Sequence, residues 1–423
     1  MGLPIIEKGY NKTEIGTIPE DWTLKKLKDI LLSTQLGGNY QNSEEETPYP
    51  LMKMGNIERG NINLDKIEYI KQNVKPSERD KLNFGDILFN TRNTLELVGK
   101  VAIWRDELPI AYFNSNLMRL KFNIDVSNFF MNYVFNSKSL LTQLKSIATG
   151  TTSVGAIYTR DLFGIQIPLP ELEEQSAIAQ VLSDADDLIE SLDKLITKKK
   201  LIKQAAMQEL LTSKKRLSGF SERWAIKKLG KIGYFKGGSG FPLKYQKSSE
   251  GTFPFYKVSD MNNKGNIIFM STSNNYISEY VVKKIGATIF PKNSIIFAKI
   301  GAAIFLERKR ILSTNSCIDN NMMGFIVDKH QANYRFIYYK LIQTNFGKLS
   351  STTALPSLNG NELGELDTFL PTDLREQEEI ARIISDMDGA LEALERKRDK
   401  YKQLKVGLMQ QLLTGRIRLK WKS

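Results

Sequence analysis

MQELLTSKKRL at residues 207–217 and MQQLLTGRIRL at residues 409–419 are nearly one phrase, written twice 202 positions apart. Moving outward at that offset, the segment from Glu174 lies on the segment from Glu376 without a gap. Glu174-Gln175 meets Glu376-Gln377, Ile178-Ala179 meets Ile380-Ala381, and Ser183-Asp184 meets Ser385-Asp386. Further upstream, DWTLKKLKDI at 21–30 lies over RWAIKKLGKI at 223–232. YPLMKMGNI at 49–57 resembles FPFYKVSDM at 253–261, and ATGTTS at 148–153 has a counterpart in SSTTAL at 350–355. An internal repeat of this length sets the architecture before any single motif does. The chain reads as variable domain, helix, variable domain, helix.

Both helical segments carry an apolar seam. Ile178, Leu182, Ala185, Ile189, Leu192, Ile196, Ile202 and Ala206 follow a three-and-four spacing, as do Ile380, Ile384, Met387, Leu391, Leu394, Tyr401, Leu404 and Leu408. Pro168, Pro170 and Pro371 precede the helices, and Gly219 and Gly415 lie near their ends. About 40 residues at about 1.5 Å each make rods of roughly 60 Å, and two such rods most simply bury their seams against each other. Antiparallel packing would turn the second copy around and create a pseudo-two-fold axis. Glu190, Lys203 and Gln208 repeat as Glu392, Lys405 and Gln410 at positions of exposed type. Packing alone would not require them twice, whereas a partner docking twice would.

The variable segments are mixed. Short β-branched and aromatic runs (DILFN, KVAIW, LMRLKF; SIIFA, MMGFIV) alternate with turn residues. Each segment adds an amphipathic helix, near 126–147 and 332–349, whose Phe130, Tyr133, Phe336 and Tyr339 are expected in the core.

Composition excludes several functions. One cysteine, Cys317, allows no intrachain disulfide, and with one histidine, His330, there is no thiolate or His-rich metal centre. Cys317 is expected to be buried and His330 at the surface. No GxxxxGK[ST] loop occurs: Gly99-Lys100 is followed by Val and Gly347-Lys348 by Leu. GGSG at 237–240 starts no Gly-x-Gly-x-x-Gly helix, and the Asn/Asp-Pro-Pro-Tyr signature of amino-methyltransferases is missing. These absences point to a non-catalytic chain, with no catalytic residue and no metal site. The N-terminus lacks the apolar run of a signal peptide, and SIIFAKIGAAIFL at 294–306 is too short to span a bilayer, so a cytoplasmic protein is expected.

Sixty basic against 47 acidic residues leave a formal charge of +13, which favours a polyanionic partner. Residues 22–165 hold about 18 basic and 15 acidic side chains, residues 222–366 about 20 and 9, so the second domain carries most of the excess.

The phrases IGTIPEDWTLKKL, GFSERWAIKKL, IPLPELEEQSAIAQVLS, FLPTDLREQEEIARIIS and the paired QELLT/QQLLT endings resemble the specificity subunit of type I restriction–modification enzymes across essentially the whole chain. PTDLREQ is one residue longer than PELEEQ, a small departure at the second helix entry. The resemblance implies a mixed α/β (α+β) fold. Two globular target recognition domains would be joined by two long antiparallel coiled-coil helices in a pseudo-two-fold tandem repeat. The boundaries fall at 1–168, 169–217, 218–370 and 371–423. It also implies a reader of double-stranded DNA with a split site, docking two adenine methylation subunits and two motor-nuclease restriction subunits. S-adenosylmethionine, ATP and Mg would belong to those partners, none to this chain, and no membrane is involved. Half-sites should lie about one helical turn apart, near 34 Å, or a multiple of it.

Base and phosphate contacts need polar side chains on loops. The candidates are Tyr40, Lys53, Arg59, Arg92, Asn93, Asn116 and Thr151 in the first domain. In the second they are Lys236, Ser239, Lys244, Lys257, Lys299, Asn315 and Thr353. Partner-binding candidates are Glu190, Lys203, Gln208, Glu392, Lys405 and Gln410. The other class of function compatible with the pattern is an interaction scaffold whose variable domains bind protein.

Overall fold

A computed structural model of the chain describes residues 9–150, 155–350 and 355–419, so Thr151 and Thr353 lie outside the described residues. The two rods are single helices of 39 residues each, Leu172–Leu210 and Leu374–Leu412, and their ends keep the 202-residue offset. Packing divides the chain in the middle of both helices. One unit is Met1–Asp193 with Arg396–Ser423; the other is Lys194–Glu395. Each unit therefore owns the start of one long helix, the end of the other, and one variable domain.

In the first unit a four-stranded antiparallel sheet runs in the order Val101–Ile103, Ile87–Asn90, Leu117–Phe122, Leu31–Leu36. A second sheet orders Tyr112–Phe113, Pro50–Met52, Glu68–Ile70 and Asn42–Ser43, with Tyr112 parallel to Leu51. Thr23–Lys26 pairs antiparallel with Gln166–Leu169, so the chain enters beside the strand that leads into the helix. The second unit repeats this plan. Gly233–Gly237, Met322–Val327, Ile295–Ala298, Lys309–Leu312 and Phe269–Met270 form one sheet. Tyr276–Ile277, Phe253–Tyr256 and Cys317–Ile318 form another, and Trp224–Lys228 pairs with Asp367–Pro371.

The cores explain the helix sequences. Ile178, Ala179 and Leu182 from the start of one helix, with Leu412 and Leu413 from the end of the other, join Phe89, Phe130 and Phe135 in one core. Ile380, Ala381 and Ile384, with Met207, Leu210 and Leu211, join Phe297, Phe325 and Phe336 in the other. Phe130, Tyr133, Phe336, Tyr339 and Cys317 are buried, and burial pushes the Cys317 thiol up to about 12. His330 is exposed. Among the described residues, no helix is long and apolar enough to cross a membrane.

Two expectations need correction. Ile202 and Leu404 are exposed, not seam residues, because the heptad that carries Leu182, Ile189 and Ile196 continues to position 203. Its partner repeat likewise arrives at 405, and both seam positions hold lysine. The amphipathic segment at 126–147 is two helices, Asn128–Phe135 and Lys138–Ile147, because the Ser137 side chain accepts from the Leu140 amide and caps a new start. The segment near 332–349 likewise stops at Gln343 and resumes as a 3-10 turn, Gly347–Leu349.

Candidate nucleic-acid interface

The repeated polar residues serve first as bolts between recognition domain and helix. Gln175, 1% exposed, accepts from the Ser127 amide and donates to the Asp125 and Pro170 carbonyls. Its counterpart Gln377 accepts from the Asn333 amide and donates to the Pro371 carbonyl. Ser127 and Asn333 are the N-cap residues of corresponding helices, Asn128–Phe135 and Tyr334–Gln343, so one glutamine in each copy sets the helix start against the rod. Glu174 accepts from Trp22 Nε1 at 3.1 Å and from Arg418 at 2.7 Å; Glu376 accepts from Arg216 at 2.8 and 2.9 Å.

Farther along, Lys405 pairs with Asp186, which also accepts from the Tyr133 hydroxyl at 2.9 Å. Lys203 pairs with Asp388, which accepts from the Tyr339 hydroxyl at 2.7 Å. Each lysine also lies over the tyrosine ring. In each unit the contacts advance on one helix as they retreat on the other, so the helix segments run antiparallel. Lys203 and Lys405 are thus half-buried internal clamps rather than the freely exposed contacts expected from sequence, because an apolar seam position filled by lysine needs a counter-charge. Glu190, Gln208, Glu392 and Gln410 are exposed on the helices.

Away from the bolts, both domains build their loops on one frame. Gly37 and Gly238 cross the backbone of a neighbouring strand end so closely that a Cβ would stand 2.1 Å from Phe113 O or 2.0 Å from Asp319 O. The Lys53 and Lys257 amides donate to Asn56 Oδ1 and Asp260 Oδ2, respectively, opening corresponding 3-10 turns. The Thr91 amide donates to Asn116 O, and the Lys299 amide to Asn321 O.

In the second domain this frame gathers the candidates. Lys299 Nζ lies where a Gly237 Cβ would be 2.9 Å away, and Ser239 bridges to Asp319, whereas Lys236, one strand residue before Gly237, is exposed on the opposite face. Lys257 donates to Gln246 and faces Asp319, whose carboxyl burial pushes up against the opposing pull of the Asn321 amide and Lys257. Lys244 is exposed on the adjacent 3-10 turn, its amine 5.1 Å from the Tyr245 ring. Asn315 does not join them. It lies before strand Cys317–Ile318, at the end away from Asp319, and its Oδ1 accepts from the Lys292 amide.

The first domain is less open. Tyr40 donates to Asp80 and accepts from the Ser77 amide, and Lys53 is paired with Glu68 at 2.8 Å. Arg92 is exposed on strand Arg92–Asn93, which pairs with Gly155–Ala156. Asn93 Oδ1 accepts from the Thr94 amide, and Arg59 stands in the exposed turn whose Gly60 bridges to Ala102. Asp319 and Asn321 share this frame and were not among the sequence candidates. DNN at 319–321 carries no motif, and only the paired frame exposes its place beside Lys299.

Comparison with known proteins fits this geometry. The profile described as "Type I restriction modification DNA specificity domain" matches twice, over residues 19–201 and 221–403. The chain belongs to that family. Its two copies are DNA specificity domains, and the family makes this a recognition subunit rather than an enzyme. A putative type I restriction enzyme MjaX specificity subunit from Methanocaldococcus jannaschii is 28% identical over 98% of both chains. The MjaVIII specificity subunit of the same organism is 24% identical over 98% of this chain and 97% of its own. Among solved structures, the S subunit of a type I restriction–modification system from M. genitalium superposes with a TM-score of 0.62. That match has 17% identity and covers 95% of this chain and 97% of that one, which supports the fold.

Proposed function

We propose that this specificity subunit reads a split double-stranded DNA site, one half through each recognition domain, and docks two adenine methylation subunits along its helices. Two motor-nuclease subunits would complete a cytoplasmic restriction assembly, with S-adenosylmethionine, ATP and Mg bound by the partners. One observation carries the reading: a common loop frame is built twice and furnished differently. Thr91, Asn114 and Gly38 in the first domain stand where Lys299, Asp319 and Ser239 stand in the second. One frame with two sets of polar groups suits two unlike half-sites. Functionally, residues 1–168 and 218–370 are the readers, and 169–217 and 371–423 the spacers. Glu190, Gln208, Glu392 and Gln410 remain the helix residues offered to a partner.

The test adds labelled S-adenosylmethionine and duplex DNA to the pure chain, then to the chain with its methylation subunits. Transfer should require the complex and fall on adenines of one split sequence. Transfer by the pure chain, or by the complex at unrelated sequences, would overturn the assignment.

A further inference from the structure

In the second recognition domain, a 3-10 turn, Ala302–Leu306, begins three residues beyond Lys299 and ends at Glu307 in the left-handed region, φ 53°. Phe305 and Leu306 are each 56% exposed at its tip, and Leu355 beside it is 61% exposed. The Phe305 ring rests on Gly347, where a Cβ would meet it at 2.8 Å, and Leu355 Cδ1 stands 3.8 Å from the Cβ position of Gly301.

This tip is braced from behind. Glu307 accepts from the Phe346 and Gly347 amides at 3.1 and 2.7 Å and pairs with Lys309. Lys309, 1% exposed, also donates to the Thr344 carbonyl and lies 4.2 Å from the Phe346 ring centre. Burial works against the Glu307 charge, yet Lys309 and the two amides outweigh it and hold the carboxyl below its usual range. A loose loop would fold Phe305 inward. Here an ion pair to a buried lysine and two backbone bonds hold the turn, and adjoining apolar side chains held in water mark a contact surface.

The surrounding charge identifies the partner. Segments 299–310 and 344–350 carry Lys299, Arg308, Arg310 and Lys348 partly or fully exposed, while Glu307, the one acidic residue of the two segments, is spent on the buried Lys309. An apolar tip inside a cationic collar suits duplex DNA, whose phosphates meet the collar while base edges or an opened base step meet the tip.

We propose that Phe305 and Leu306 make an apolar contact with the nucleobases of the half-site read by the second domain and help set its specificity. Lys299 and Lys348 position the flanking phosphates. This rests on the DNA-reading function proposed above and adds the residues and chemistry of one contact.

The experiment uses the full chain assembled with its methylation subunits and a duplex carrying its own methylated site. Phe305→Ser with Leu306→Ser should weaken binding about tenfold or more, the scale of one lost base-pair contact. It should also reduce discrimination against unrelated duplex. The slope of log affinity against log salt should stay unchanged, because an apolar contact releases no counterion. Lys299→Gln should instead lower that slope by about one. Replacing site thymines by uracil separates the two base contacts. A loss confined to one thymine, absent in the double variant, assigns a methyl contact; no loss at any thymine assigns an opened step. Wild-type affinity and discrimination in the double variant would overturn the inference. So would failure to assemble at unchanged DNA affinity, which would give the tip to a protein. A wild-type complex without site preference would refute the DNA-reading function itself, a separate result.

Discussion

The two recognition domains are most alike where they meet the helices and least alike at their loop tips. At the helix, Gln175 and Gln377 bond corresponding N-cap amides, and Asp186 and Asp388 each hold one tyrosine and one lysine. At the tips, Lys53 is in a direct ion pair with Glu68, whereas its counterpart Lys257 donates to the uncharged Gln246 and only faces the Asp319 carboxyl. Thr91 is replaced by Lys299 on the same backbone bond. Attachment repeats, and the loop tips vary. Even the junctions differ: Arg418 adds a pair with Asp21 at 2.7 Å, a contact Arg216 replaces by donating to the Phe220 and Glu222 carbonyls. Arg418 accordingly holds the Asp21 carboxyl below its ordinary range.

The largest expected effect tests whether the repeated lysines belong to the fold. Lys203→Glu with Lys405→Glu would place carboxylates against Asp388 and Asp186 in half-buried sites. The loss should be about 3 kcal/mol per site, read as a lower urea midpoint. Exchanging the partners in one unit, Lys203→Asp with Asp388→Lys, should recover most of that unit's loss. Unchanged unfolding together with failed binding of methylation subunits would return these lysines to a docking role.

A smaller effect should distinguish the two bolts. Gln175→Leu leaves one amide and two carbonyls without their partner, while Gln377→Leu leaves one amide and one carbonyl. Both should destabilise by about 2 kcal/mol, with the Gln175 variant the weaker of the two proteins. Equal losses, or none, would mean that ordered water replaces the glutamine, and hydrogen exchange at the Ser127 and Asn333 amides would show it.

The tandem fold was legible because the helices repeat without a gap, and a gapless offset survives any divergence between them. Strands such as MMGFIV at 322–327 were legible for a simpler reason, since all six residues are apolar or glycine and turn residues bound them. The roles of the repeated polar residues were not. Glu174, Gln175 and Lys203 look like surface residues in a helical repeat, and only tertiary packing turns them inward against Trp22, Ser127 and Asp388. The DNA-contact candidates rest on residue type, and their places in the fold were not legible. Ser239, Lys257 and Lys299 come together around Asp319 and Gly237 because strand ends converge, Lys236 points to the opposite face of its strand, and Asn315 sits at the wrong end of its own.

The smallest expected effect sharpens the contrast between the reading surfaces. Each lysine or arginine that meets a phosphate contributes about 0.9 to the slope of log affinity against log salt. Lys236→Gln, Lys244→Gln and Lys257→Gln together should therefore flatten the slope by about 2.7, if all three amines are available to DNA. Lys53→Gln, Arg59→Gln and Arg92→Gln should flatten it by about 1.8 at most, because Glu68 already neutralises Lys53. Titrations of the assembled complex from low to moderate salt would resolve a difference of one ion. Equal slopes would mean that Lys53 leaves Glu68 on binding, and the first domain would then match the second in phosphate contacts despite its lower charge.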